Sequence, residues 1–107
     1  MGLQIYRLPV WYDLDMVQVR LMGILKEAAG RKSQSVEDCT TVGSVISTLI
    51  EYFGEEFRKV ILDPMMNSPL PNALILVNGV EINNLKGLDT VVSENDDVVL
   101  LSVTHGG

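Results

Sequence analysis

The sequence predicts an α+β domain in which a mixed sheet of four to five strands packs on one main helix. Val17, Val19 and Leu21 alternate with Gln18, Arg20 and Met22, the period-two signature of a half-buried strand. After Thr41, a good helix N-cap, Val42, Val45, Ile46, Leu49, Ile50 and Phe53 recur at three- and four-residue steps and fall on one helical stripe. Two continuous apolar runs, Ala73–Val77 and Val98–Val103, read as the central and the last strand.

Residues 1–16 form an N-terminal appendage that fits no clean pattern. Leu3, Ile5 and Tyr6 could add an edge strand, but Pro9 limits it, and Met16 is a second possible start. The domain proper spans 17–103. Gly23 ends the first strand, Leu25–Ala29 makes a short helical turn closed by Gly30 and Arg31, and Ser33–Asp38 returns as a second strand. The main helix stops at Gly54. A further helical piece, Glu55–Leu62, turns Phe57, Val60 and Ile61 inward and ends at Asp63-Pro64. The stretch Met65–Pro71 is then a loop, with Met65 and Met66 expected as its anchors rather than as a cofactor box. Asn78-Gly79 is the strongest turn signal in the chain, with Val80–Ile82 beyond it. Leu85, Leu88 and Val91 punctuate a compact connection, and the acidic turn Glu94–Asp97 leads into the last strand. Residues 104–107 are a C-terminal tail.

A chain of 107 residues is one domain, large enough to bury about 60 to 68% of its unfolded surface without staples. Fourteen acidic against eight basic residues, a formal charge of -6, would repel a phosphate backbone and argue against direct nucleic-acid binding. A basic partner surface fits that balance better. One cysteine, Cys39, cannot form an internal disulfide or a multi-thiolate metal site and reads as a small buried or edge thiol. No segment resembles a signal peptide or approaches the roughly 18 apolar residues of a membrane span, so a cytoplasmic protein is expected.

Strand, strand, helix, strand, a short strand or turn, and strand is the order of a β-grasp, or ubiquitin-like, fold. One helix crossing the sheet would cover Val17, Val19, Leu21, Val98 and Leu100, and the first and last strands would lie parallel as neighbours.

The chain ends in Gly106-Gly107, a pair that arises by chance in roughly 0.5% of chains. Taken in order with VRLMGILKEAAGR at 19–31, Thr41-Val42-Gly43, LVNGVEI at 76–82 and LKGLDTVV at 85–92, it resembles the prokaryotic sulfur-carrier branch of ubiquitin-like proteins. That branch includes the small subunit of molybdopterin synthase, the thiamine-pathway carrier and the ubiquitin-related modifier of tRNA thiolation. Molybdopterin subunits close with a Pro-Pro step before the glycines. This chain reads SVTHGG at 102–107, and its His-Gly-Gly ending is similar to that of the ubiquitin-related modifier. The acidic turn of the molybdopterin branch carries glycine where Asn95 stands, a residue that tolerates positive φ.

The resemblance implies that the domain is not an enzyme on its own. An ATP-dependent activating enzyme would adenylate Gly107, with Gly106 beside it, and a sulfur donor protein would convert the adenylate to a thiocarboxylate. A sulfur-acceptor enzyme would then receive the sulfur, or a lysine-bearing target would be acylated. ATP belongs to the activating enzyme, and no bound cofactor or metal is implied. Two alternatives stand beside this reading: the small subunit of molybdopterin synthase, whose tail enters the large subunit, and a non-covalent ubiquitin-like interaction domain.

His105, the only histidine, is either a solvated tail residue or a contact in the activating enzyme's channel. In the last strand both faces are apolar, so Val99, Leu101 and Val103 should point away from the helix and adjoin Met22. By resemblance Met22, Val99 and Leu101 are where family members meet their partners. The N-terminal appendage or a second copy could cover the same face.

Overall fold

A computed structural model describes residues 16–103. Five strands and three helices follow one another as β1 (Val17–Met22), α1 (Ile24–Ala29), β2 (Ser33–Val36), α2 (Val42–Phe53), α3 (Glu55–Ile61), β3 (Ala73–Val77), β4 (Val80–Glu81) and β5 (Asp97–Ser102). The sheet order is β2-β1-β5-β3-β4. β1 and β5 pair in parallel at its centre, as the β-grasp order predicts, and the other pairs are antiparallel.

The helix α2 is fixed at its start by a capping box. Thr41 Oγ1 accepts from the Ser44 N–H, and Ser44 Oγ accepts in return from the Thr41 N–H, so two otherwise orphaned donors are satisfied. Its stripe Val42, Val45, Ile46 and Leu49 is buried against Val17, Val19, Leu21, Val98 and Leu100, each at most 1% exposed on the sheet side. Phe57 and Ile61 of α3 complete the core. Burying a side chain of this size contributes on the order of 1.5–3 kcal/mol, and this apolar layer is what holds the helix to the sheet.

Three local expectations are corrected. Met65 and Met66 are 91% and 67% exposed, not loop anchors. Backbone chemistry closes that loop instead: the Asp63 carboxylate accepts from the amides of Met65 and Met66, and Asp63 bridges Ser68. The buried Pro69 and half-buried Leu70 are what hold it.

In the connection before β5 the side chains that reach the core are Ile82 and Val92, while Leu85 and Val91 are exposed and Leu88 is half-buried. The Thr41–Val91 bridge turns Val91 outward and its neighbour Val92 inward. Asn95 is not among the residues at positive φ, so its turn needs no glycine substitute. The positive-φ asparagine nearby is Asn78, at φ 54, which with Gly79 at φ 85 builds a tight turn between β3 and β4.

Candidate functional site

β5 ends where the tail begins, and tertiary contacts fix that point. The Ile24 N–H at the start of α1 donates to Ser102 Oγ at 3.0 Å. The Val103 N–H donates to the Asn72 carbonyl at 3.0 Å, and Asn72 Nδ2 donates in turn to the Val60 carbonyl at 3.2 Å. The end of β1, the start of α1, the end of α3 and the start of β3 therefore all meet the last two residues before Thr104.

Gly23 makes this meeting possible. It sits at φ 69, ψ -144, a region that only glycine occupies readily, and a Cβ there would lie 2.2 Å from Ser102 Oγ. Its role is thus close approach as well as ending the strand. His105, Gly106 and Gly107 lie outside the described residues.

Alternation along β5 gives it two apolar faces. Val98 and Leu100 enter the core, whereas Val99 is buried at 7% exposure yet stands apart from the core cluster. Register places Val99 between Arg20 of β1 and Leu76 of β3, and Leu101 between Met22 and Leu74. Met22 and Leu101 are thus cross-strand partners and Val99 is one step further along. Because neighbours flank it on both sides, Val99 offers little open surface. The accessible part of the strip is Met22, 46% exposed, with the half-buried Leu74, Leu76 and Leu101.

Leu74 and Leu76 were not singled out in the sequence. A continuous apolar run does not show which of its residues face the helix. The parity was nonetheless there, because Asn78-Gly79 fixes where β3 ends and pairing with β5 then alternates its faces.

An ion pair borders the strip: the Arg20 guanidinium grips the Asp97 carboxylate through Nε at 3.1 Å and Nη2 at 2.8 Å. Hydrogen bonding and then the charge of Asp97 raise the Arg20 pKa above its ordinary value.

Cys39 is 1% exposed, with its Sγ near the Glu37 carbonyl, the Ser44 carbonyl and Thr48 Oγ1. It lies after β2, at the opposite end of the sheet from Ser102. Among the described residues no three His, Cys, Asp or Glu side chains converge as a metal site would require. No helix among them is long and apolar enough to cross a membrane.

Fold and tail base together define a ubiquitin-like β-grasp domain with an anchored exit for its C-terminal segment. The sequence profile of the ThiS family matches residues 19–107, and the chain belongs to that family of ubiquitin-like sulfur carriers. No curated protein matches it in sequence.

Among solved structures it is similar to the small archaeal modifier protein 1 of Methanosarcina acetivorans, at 26% identity and TM-score 0.75, covering 88% of this chain and 98% of that one. Urm1 of Trypanosoma brucei aligns at 21% identity and TM-score 0.69, covering 89% of this chain and 98% of that one. CysO of Mycobacterium tuberculosis aligns at 26% identity and TM-score 0.68, covering 82% of this chain and 99% of that one.

Proposed function

We propose that the domain carries sulfur on Gly107 after its tail is activated by a partner enzyme, and that the same activated end can acylate a lysine. The anchored base of the tail, in a chain of the ThiS family, is the observation that supports this reading most directly. A chain terminus is useful to another protein's active site only if a rigid body delivers it.

A C-terminal carboxylate, with a reference pKa of about 3.3–3.7, is ionised near neutral pH and inert to nucleophiles. Its oxygen attacks the α-phosphorus of ATP in the activating enzyme, pyrophosphate leaves, and an acyl adenylate results. The terminal sulfur of a persulfide on the donor protein then attacks the carbonyl and AMP leaves. A thiol reductant cleaves the acyl disulfide so formed, leaving a thiocarboxylate on Gly107 and a disulfide on the reductant side. If a lysine amine attacks the adenylate instead, an isopeptide bond forms and AMP again leaves. Glycine suits the position because it lacks a Cβ and leaves the carbonyl open from both sides.

The activating enzyme, the sulfur donor and the acceptor are the partners of this scheme, and ATP is bound by the enzyme rather than by the carrier. The His-Gly-Gly ending favours transfer of the tRNA-thiolation type. Met22 and Leu101 form the contact face, with His105 inside the enzyme's channel.

Incubation with an activating enzyme, ATP and a persulfide donor should raise the intact mass by about 16 Da, one oxygen exchanged for sulfur. Gly107→Ala should keep the fold and cut adenylation by roughly tenfold or more, since a misplaced carboxylate oxygen loses its attack geometry on the α-phosphorus. An unchanged mass with an active enzyme, or an undiminished adenylate yield from Gly107→Ala, would refute the reading.

A further inference from the structure

The acidic chain is electrically polarised along its sheet. At the end opposite the tail, the segments 37–40, 78–79 and 93–97 contain Glu37, Asp38, Glu94, Asp96 and Asp97 and no basic residue. At the tail end, the connection from Gly23 to Lys32 holds Lys26, Arg31 and Lys32 against one acid, Glu27, and the connection from Leu62 to Asn72 adds one acid, Asp63.

Arg20, Leu21, Met22, Gly23, Lys26, Lys32 and Ser33 line an open cleft of about 470 Å³ there. It contains no acidic residue, it shares Met22 with the outer apolar strip, and it shares Gly23 with the tail's anchor. Arg20 already holds Asp97, and Arg31 donates to Gln34, whereas Lys26 and Lys32 make no ion pair among the described residues. Both lysines are exposed.

We propose that this cleft docks a carboxylate-rich segment of the protein that receives the tail. Whole-chain charge pointed to a basic partner; the local charge where the tail leaves points to an acidic one. A partner whose entrance is acidic would attract this end and repel the other, orienting the carrier before contact. A protein fits better than a nucleic acid, because the cleft's two lysines, in a chain of net charge -6, neutralise little of a phosphate backbone. Choosing the tail's receiver as the occupant rests on the function proposed above.

The test titrates the ¹⁵N-labelled full chain with a hexaglutamate peptide. Amide shifts should cluster within residues 20–33, saturate in the millimolar range, and weaken at least about fivefold between about 50 mM and 300 mM salt. K26E/K32E, or K26Q/K32Q should the reversal fold poorly, should abolish them, while E94K at the far end leaves them intact. Absent or scattered shifts, equal shifts with hexalysine, or shifts that survive the lysine variants would overturn the proposal. So would tighter binding of a short RNA duplex at the same residues. A mass gain of sulfur without peptide shifts would sink this inference and leave the carrier standing. Localised shifts without a mass gain would keep the acidic docking site and sink the carrier reading.

Discussion

The two ends of the sheet are closed by different means. At the far end, turns are tied by side chains: Asn78 Nδ2 donates to Asp96 Oδ1 at 2.9 Å, the Asp97 N–H donates to Asn78 Oδ1 at 2.8 Å, and the Ser93 N–H donates to Asp96 Oδ2 at 2.8 Å. At the tail end, the Val103–Asn72 backbone bond, the Ser102 hydroxyl and the Asn72 side-chain amide make the ties, with Gly23 packed against Ser102. Exposed turn chemistry can be rebuilt by many residue pairs, and its failure costs stability. The φ of Gly23 favours one residue type, and a Cβ there would displace the Ser102 hydroxyl that ties the end of β5 to the start of α1.

Breaking the tail end should have the largest effect on the fold. Gly23→Ala places a Cβ on Ser102 Oγ at a φ that alanine resists, so roughly 2–4 kcal/mol of unfolding free energy should be lost, read from denaturant melts. Adenylation at a temperature where the variant is folded should fall as well. A variant of unchanged stability would remove the close approach from the account of the site.

At the far end, Asn78→Ala deletes two side-chain hydrogen bonds and a residue suited to φ 54, for a loss of about 1–3 kcal/mol with adenylation unchanged. Acid sharpens this contrast. The amide of Asn78, then the N–H of Ser93, hold the Asp96 carboxyl below its ordinary pKa. A depressed carboxylate stabilises the fold fully above its unfolded pKa, about 3.9, and loses that contribution as pH falls through the folded value. The gap between native protein and Asn78→Ala should therefore narrow below pH about 4. A pH-independent gap would show that Asp96 is not held by Asn78.

Ser102→Ala should cost about 0.5–1.5 kcal/mol by stranding the Ile24 N–H. With the activating enzyme it should raise KM more than it lowers kcat, and Ser102→Thr should restore KM; equal kinetics for all three would assign the hydroxyl to stability alone. Leu101→Asp should change stability least, by about 1 kcal/mol or less, yet weaken complex formation with the activating enzyme, because Leu101 borders Met22 on the accessible strip. Loss of the thermal transition would instead make Leu101 part of the core.

Most of the fold was legible because its signals are local. The alternation Val17–Met22, the Thr41 cap with its stripe, and Asn78-Gly79 each depend on neighbours within one turn or strand, and each reappears in the structure. The apolar outer face of β5 was legible for the same reason. The exposure of Met65 and Met66 was not, since hydrophobicity alone does not say whether a loop's backbone or its side chains hold it. Nor did alternation say that Val99 lies between Arg20 and Leu76, a consequence of the strand order.

The sequence by itself determined which segments become strands and helices and which faces are apolar, because hydrophobic period and capping act within a few residues. It also placed Gly-Gly after the last strand and named the family it resembles. Only the tertiary structure decided how that strand ends: Gly23 against Ser102, Asn72 under Val103, Leu74 beside Leu101, and Lys26 and Lys32 gathered in the cleft beside the tail's anchor. Those pairs are up to about 80 residues apart in the chain, and the placement of β5 between β1 on one side and β3 on the other brings them together.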